Sequence, residues 1–340
     1  MEFTVRPAQR ADREDVIAFT RATWPDREAD YLPRVFDDWV DADGDRRRTL
    51  VADADGRAVG IVQFVLLSSD EAWAQGMRVD PEFRGHDAAG RLVRAGYRWA
   101  REAGATVARN MVFSWNAMGM GHARAVGFRP TIEFRFVHPE PDPDATPHDV
   151  TPDLDVVGDA VAGWRFWTES DARAHLAGLA LDPGETWALS ELTRETLREA
   201  TAADRLFVVQ GDGSGDRSGG TRGMAFRVRE VERPTGGDGE ASGDEGEDGD
   251  DGGEQADGGD PEPERWAEYG VGAWADAESC RALLRAVARD AAERGADRAR
   301  VLVPETVDTV SDAAAARVPV ADAPDFVLTA DLTDPSLLDG

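Results

Sequence analysis

The stretch that most constrains this chain is Met77-Arg-Val-Asp-Pro-Glu-Phe-Arg-Gly-His-Asp-Ala-Ala-Gly-Arg-Leu-Val, residues 77–93. A strand pattern ending at Val79 is broken at Asp80–Pro81, because proline has no amide to give to a ladder. A small-residue loop follows. Then Leu92, Ala95, Gly96, Trp99, Ala100 and Ala103 recur at helical spacing until Gly104. Strand, tight loop and long helix in this order commit the chain to an α/β fold. They also aim several backbone N–H groups and the positive end of a helix at one point, an anion site fit for a diphosphate. Gly85, Ala88, Ala89 and Gly90 leave room for a ligand to reach the main chain, and Arg84 adds a charged donor.

The surrounding sequence extends this unit. Phe3–Arg6 predicts an edge strand and Ala11–Ala22 a helix. Tyr31, Leu32, Val35, Phe36, Trp39 and Val40 mark one apolar helical face. Thr49–Ala52 and Ala58–Leu67 predict strands joined by a turn at residues 53–56, and Trp73–Val79 a further strand. Val107–Phe113 reads as a strand, Gly119–Val126 as a short helix and Thr131–Val137 as a closing strand. Residues 139–154, rich in Pro and Asp, form a linker between a first domain, 1–138, and a second, 155–335.

In the second half, Trp164–Trp167 predicts a strand, Asp171–Leu179 and Trp187–Ala202 helices, and Leu206–Gln210, Met224–Glu232 and Trp266–Gly272 strands. An acidic, glycine-rich insertion at about 234–264 separates the last two and predicts a disordered excursion between paired strands. A shift of 191 residues lays 101–112 over 292–303, with Gly104 on Gly295, Ala105 on Ala296, Ala108 on Ala299 and Arg109 on Arg300. That match favours an internal duplication over chance similarity in an Ala- and Arg-rich chain.

Charge narrows the partners. The net charge is -29, from 67 acidic and 38 basic residues, and every basic residue is Arg. Residues 235–264 hold 13 acids and no base, leaving -16 elsewhere. Such a chain lacks the basic footprint that duplex nucleic acid or anionic lipid requires. Its acidity reads as a halophilic-type solvated surface, or as the codon bias of a GC-rich genome. There is no apolar run of membrane-spanning length and no leader-like N-terminus, so the expected location is the cytoplasm. His86, His122, His138, His148 and His175 are scattered and Cys280 is alone, so no metal site is expected.

In residues 77–93 the chain resembles the GNAT family of N-acetyltransferases. The family hallmark Arg/Gln-x-x-Gly-x-Gly/Ala maps onto Arg84-Gly85-His86-Asp87-Ala88-Ala89. The preceding 79–83, the helix 92–104 and the later Asn116…Gly127-Phe128 fit in the same order. The resemblance implies acetyl-CoA as co-substrate. It places the backbone of Met77, Arg78 and Val79 on the acetyl and pantetheine portion. The amides of Arg84, Gly85, His86, Asp87, Ala88, Ala89 and Gly90 fall on the pyrophosphate, and Asn116 on the cofactor arm. It implies direct attack of a neutral primary amine of a small molecule on the thioester, with a main-chain N–H polarising the carbonyl.

Departures from the family pattern set the alternatives. Asp87 stands where the hallmark has glycine, which crowds and repels a diphosphate. The family's Tyr acid falls at Ala123, with His122 beside it as a substitute acid or a plain surface residue. Glu71 is either the general base or a solvated turn residue. Trp73, Phe113 and Trp115 either line an acceptor pocket or pack in the core. Under the 191 shift the hallmark becomes residues 275–281, without the anchoring Arg and Gly, so the second half is expected to be degenerate. It then serves to complete the acceptor cleft or to form a homodimer. Cys280, near a helix start, is either activated or a buried inert thiol. The expected architecture is α/β, tandem GNAT-like mixed sheets flanked by helices; the alternative function is a non-catalytic sensor or interaction module on that fold.

Overall fold

A computed structural model describes residues 3–21, 23, 30–147, 152–211, 220–233 and 263–338. His148, part of the linker and the acidic insertion from 234 to 262 lie outside the described residues. In chain order the strands are β1 (Thr4–Pro7), β2 (Arg47–Ala54), β3 (Arg57–Leu66), β4 (Glu71–Val79), β5 (Val107–Phe113), β6 (Arg129–Val137) and β7 (Leu154–Val157). They continue with β8 (Leu179–Leu181), β9 (Leu189–Glu191), β10 (Leu206–Gly211), β11 (Thr221–Arg233), β12 (Glu264–Trp274), β13 (Arg298–Pro304) and β14 (Asp325–Asp331). The helices are α1 (Arg13–Arg21), α2 (Leu32–Asp41), α3 (Ala88–Glu102), α4 (Ala117–Ala125), α5 (Ala160–Glu169), α6 (Asp171–His175), α7 (Arg194–Ala202), α8 (Ala277–Glu293) and α9 (Val307–Ala315). Among the described residues, no helix is long and apolar enough to cross a membrane.

The chain forms two compact units, and they depart from the contiguous boundaries that the sequence suggests. Unit 1 holds residues 1–132, 184–190 and 325–340, and unit 2 holds 133–183 and 191–324. The reason is strand pairing. The strand that completes unit 1 beside β5 is β14, paired antiparallel from Val107↔Asp331 to Phe113↔Asp325. Residues 134–137 of β6 instead pair with β13 in unit 2.

Unit 1 is a mixed sheet in the order β1-β2-β3-β4-β5-β14, covered on both faces. On one face α3 buries Ala88, Leu92, Val93, Tyr97 and Ala100 against Val62, Phe64, Ala72 and Ala74. Each large side chain so buried contributes about 1.5–3 kcal/mol. Gly96 lets the helix sit directly on the Phe64 ring, which occupies the space a Cβ would need. On the other face α2 buries Leu32, Phe36 and Trp39, the stripe read from the sequence.

Unit 2 is built on β6-β13-β12-β11-β10-β7, with α8 packed on it through Cys280, Leu283, Leu284 and Val287. Burial pushes the Cys280 thiol well above its ordinary range, so it is the inert alternative that holds. Trp164–Trp167, expected as a strand, is part of α5, because Asp159 accepts from the amides of Val161 and Ala162 and starts a helix there. The helix expected over 187–202 begins only at Arg194, where Thr193 caps it; Leu189–Glu191 is extended.

Candidate functional site

The sheet of unit 1 opens between β4 and β5. The two pair in parallel only over Glu71–Trp73 against Val107–Arg109. Beyond that, β4 follows β3 to Val79 and β5 follows β14 to Phe113. The strands therefore part, and the main-chain groups of β4 past Trp73 face a wedge rather than a ladder.

A bulge shapes the β4 arm. Ile61 lies opposite Arg78 and Gln63 opposite Gln75, so β4 carries one extra residue there. Gly76 supplies it at φ 66, a left-handed value that glycine adopts without strain, and the Trp39 ring fills the space its Cβ would take. The extra residue switches side-chain direction. Ala72 and Ala74, then Met77 and Val79, pack toward α3, while Arg78 points to the α2 face. There its Nε donates to Asp30 at 2.7 Å and its guanidinium covers the Tyr31 ring. Of the Met77–Val79 segment, Arg78 thus offers a ligand only its backbone.

Below the wedge lies the turn into α3. Asp80 fixes it by accepting from the Glu82 amide at 3.0 Å and from Arg57 at 2.7 Å. Gly85 takes φ 80 and Asp87 φ 62. Among the described residues, the N–H groups of Gly85, His86, Asp87, Ala88, Ala89 and Gly90 meet no acceptor, and the Asp87 side chain does not cap the helix. Those amides remain available to an anion. Arg84 and His86 are exposed beside them.

The Asp87 carboxylate folds over Gly90, in the space its Cβ would occupy, and pairs with Arg94 at 2.5 Å. It stands above the amides without bonding to them. The corresponding start of α8 is closed: Asp276 accepts from the Ser279 amide at 2.9 Å, and the Ser279 hydroxyl closes a capping box.

Asn116 caps α4, its Oδ1 accepting from the Gly119 amide at 2.8 Å. In α4, His122 has a buried Nε2 without a partner; burial lowers its basicity, and the Asp87 charge works the other way. Asn110 Oδ1 is likewise buried and without a partner. It projects between Ala108 and Val112, the β5 residues that face α3. Sequence reading passed over Asn110, since one Asn in a strand gives no signal until its neighbours are known.

Glu71 is buried at the closed end of the wedge, where it pairs with Arg109 and accepts from Ser68 Oγ at 3.0 Å. Six residues of strand, roughly 20 Å, separate it from Met77. Its surroundings are those of a buried ion pair rather than of a solvated turn. Trp73 is core. Phe113 and Trp115 stack at 5.4 Å, and Trp187 meets Phe113 edge-on at 6.2 Å.

A second polar group on the α2 face also escaped sequence reading. Glu185, in the segment 184–190, accepts from Gln75 Nε2 at 2.9 Å and pairs with Arg47 at 2.6 Å. Gln75 also donates to Gln63, which donates to Thr49. The signal was absent because Glu185 lies 110 residues from Gln75.

Comparison with known proteins agrees with this geometry. The profile of the Acetyltransferase (GNAT) family matches residues 13–128. Residues 13–128 are a GNAT domain. Among solved structures, a GCN5-related N-acetyltransferase from Sphaerobacter thermophilus is similar over 97% of this chain and 96% of its own, at 16% identity and TM-score 0.55. A putative acetyltransferase from Pyrococcus horikoshii covers 97% and 89%, at 11% identity and TM-score 0.47. The PaiA N-acetyltransferase from Thermoplasma acidophilum, in complex with coenzyme A, matches 38% of this chain and 92% of its own, at 15% identity and TM-score 0.35. At these identities the likeness concerns fold alone. No curated protein gives a significant match. The GNAT domain carries the wedge, the bulge and the amide-lined turn. Among the described residues no cluster of metal-ligating side chains occurs.

Proposed function

We propose that the chain is an acetyl-CoA-dependent N-acetyltransferase acting on a primary amine of a small molecule. One observation carries the reading: a parted β4–β5 pair stands directly above six unbonded amides at the head of α3. The amides of residues 85–90 suit a diphosphate, with Arg84 as an added cation. The pantetheine arm would lie in the wedge, where Asn110 Oδ1 and Asn116 Nδ2 offer an acceptor and a donor. A β4 N–H past the bulge would stabilise the oxyanion that forms as nitrogen attacks the thioester. His122 lies on the cofactor side, where a proton for the departing thiolate is needed. Unit 2, whose α8 start is self-capped, is taken to work without cofactor. A cytoplasmic location belongs to the same proposal.

The test joins binding to turnover. Acetyl-CoA is expected to raise the melting temperature, Arg84→Ala to weaken that response, and free thiol to appear with a primary amine. No stabilisation at millimolar acetyl-CoA overturns the assignment. The Asp87 carboxylate over Gly90 favours one second reading, a cofactor-binding module without turnover. Stabilisation with no thiol release from any amine would select it.

A further inference from the structure

Unit 2 holds a cavity of about 680 Å³, a size that takes a small organic ligand. One wall is α8 with the end of α9. The other is the segment 139–145, which reads as linker in the sequence but lies along α8. The Asp142 amide donates to the Ala288 carbonyl at 3.0 Å, and Arg285 Nε donates to the Thr146 carbonyl at 3.1 Å. Those bonds fasten the two walls to each other.

The lining sorts its chemistry. Arg281 and Arg317 stand on the helical wall, and Glu140 and Asp142 on the proline-rich wall. Leu284, Ala288 and Val318 add apolar surface. Arg281 is half-buried, and its Nη2 reaches the Ala315 carbonyl at 3.4 Å, across the joint of α8 and α9.

Arg317 carries a second, independent signal. It follows α9 at φ 61, its amide donating to the Ala314 carbonyl at 2.9 Å and the Val318 amide to the Ala313 carbonyl at 3.1 Å. In unit 1, α4 ends in the same two bonds, Gly127 to Arg124 at 3.2 Å and Phe128 to Ala123 at 3.0 Å, with the glycine at φ 99. Glycine is the residue that this left-handed position favours, and a side chain there is strained. Arg317 is exposed, so burial does not offset the strain. A long cation held in that conformation at the rim of a cavity points to a ligand.

We propose that this cavity binds a nucleoside monophosphate, with Arg281 and Arg317 on the phosphate and Leu284, Ala288 and Val318 against the base. Glu140 and Asp142 accept from the ribose hydroxyls or the amino group of the base. Guanidinium forks match phosphate oxygens, and apolar lining takes a flat ring. A bare phosphate or a dicarboxylate would satisfy the arginines but meet repulsion from the two carboxylates; a nucleoside brings the donors they need. The proposal is independent of acetyl transfer.

The experiment titrates the full chain with adenosine monophosphate (AMP), adenosine and inorganic phosphate by calorimetry, and follows melting in parallel. AMP is expected to bind, with adenosine and inorganic phosphate each at least about tenfold weaker, the loss of one good charged contact. Arg281→Ala should raise the Kd for AMP about tenfold. Arg317→Gly separates binding from structure: it should melt higher than wild type, because glycine suits the backbone, and still bind AMP about tenfold more weakly. No heat from AMP at millimolar concentration overturns the proposal. So does inorganic phosphate binding as tightly as AMP, and so does an Arg317→Gly chain that keeps wild-type affinity for AMP.

Discussion

The carboxylate of Asp87, the residue before α3, lies 2.5 Å from the guanidinium of Arg94, about two turns along on the same face, and covers Gly90 between them. The residue at the glycine position of the hallmark is thus held by a partner seven positions on. A diphosphate arriving at the α3 amides meets this ion pair first.

Asp87→Gly should therefore tighten acetyl-CoA binding. It removes a charge whose repulsion at 4 Å is about 1 kcal/mol in water and about 4 kcal/mol near a protein surface. Glycine also suits the left-handed backbone there, which stabilises the free and bound protein alike and leaves the affinity to the charge. Tenfold tighter binding by titration calorimetry is the expected result, with the gap to wild type narrowing as salt shortens the screening length. Equal affinity at low salt would mean that the carboxylate swings aside without cost.

Glu71→Gln should act on stability. It removes the carboxylate that pairs with buried Arg109, a loss of about 3–5 kcal/mol for a broken buried pair. Denaturant unfolding checks this, alongside thiol release from the folded fraction. A variant with wild-type stability and no turnover would restore Glu71 as the base.

His122 predicts an acid limb. Burial lowers its folded-state pKa from an ordinary 6.5, so below that value the unfolded chain binds the proton more readily. Stability is then complete above pH 6.5 and declines as pH falls toward the folded-state value. Melting temperatures at pH 7.5 and 5.5 should differ less in His122→Gln than in wild type. An identical difference in both would place the acid sensitivity elsewhere.

Gly96→Ala sets two effects against each other. Alanine gains about 1 kcal/mol of helix propensity. Its Cβ would meet the Phe64 ring, and overpacking of that kind costs about 1–3 kcal/mol. Net destabilisation is expected from urea unfolding, and a more stable variant would show that α3 lifts off the sheet easily.

What the sequence made legible is what lies close together along the chain. The turn at Asp80–Pro81, the α3 stripe and the α2 stripe depend on neighbours within a few turns, and they stand where periodicity put them. Trp164–Trp167 misled because four bulky residues look alike in a strand and in a helix; the deciding signal was Asp159, a cap outside the run. The Glu185–Gln75 bond and the β5–β14 ladder join residues more than a hundred positions apart, and neither leaves a local trace. Arg84, Gly85, His86, Asp87, Ala88, Ala89 and Gly90 come together in the turn because they are consecutive. The side-chain partners of Glu71 and Arg78, an ion pair and a bulge-directed contact with Asp30, depend on neighbours that the sequence does not reveal.

The place of β14 has a consequence for synthesis. The ribosome finishes residues 13–128 long before it makes the strand that covers the free side of β5. Until then β5 presents an unpaired edge to any other nascent chain nearby, the hazard that exposed strands carry. A stop codon a few residues before Asp325 would thus leave β5 unpaired and injure the unit that holds residues 13–128.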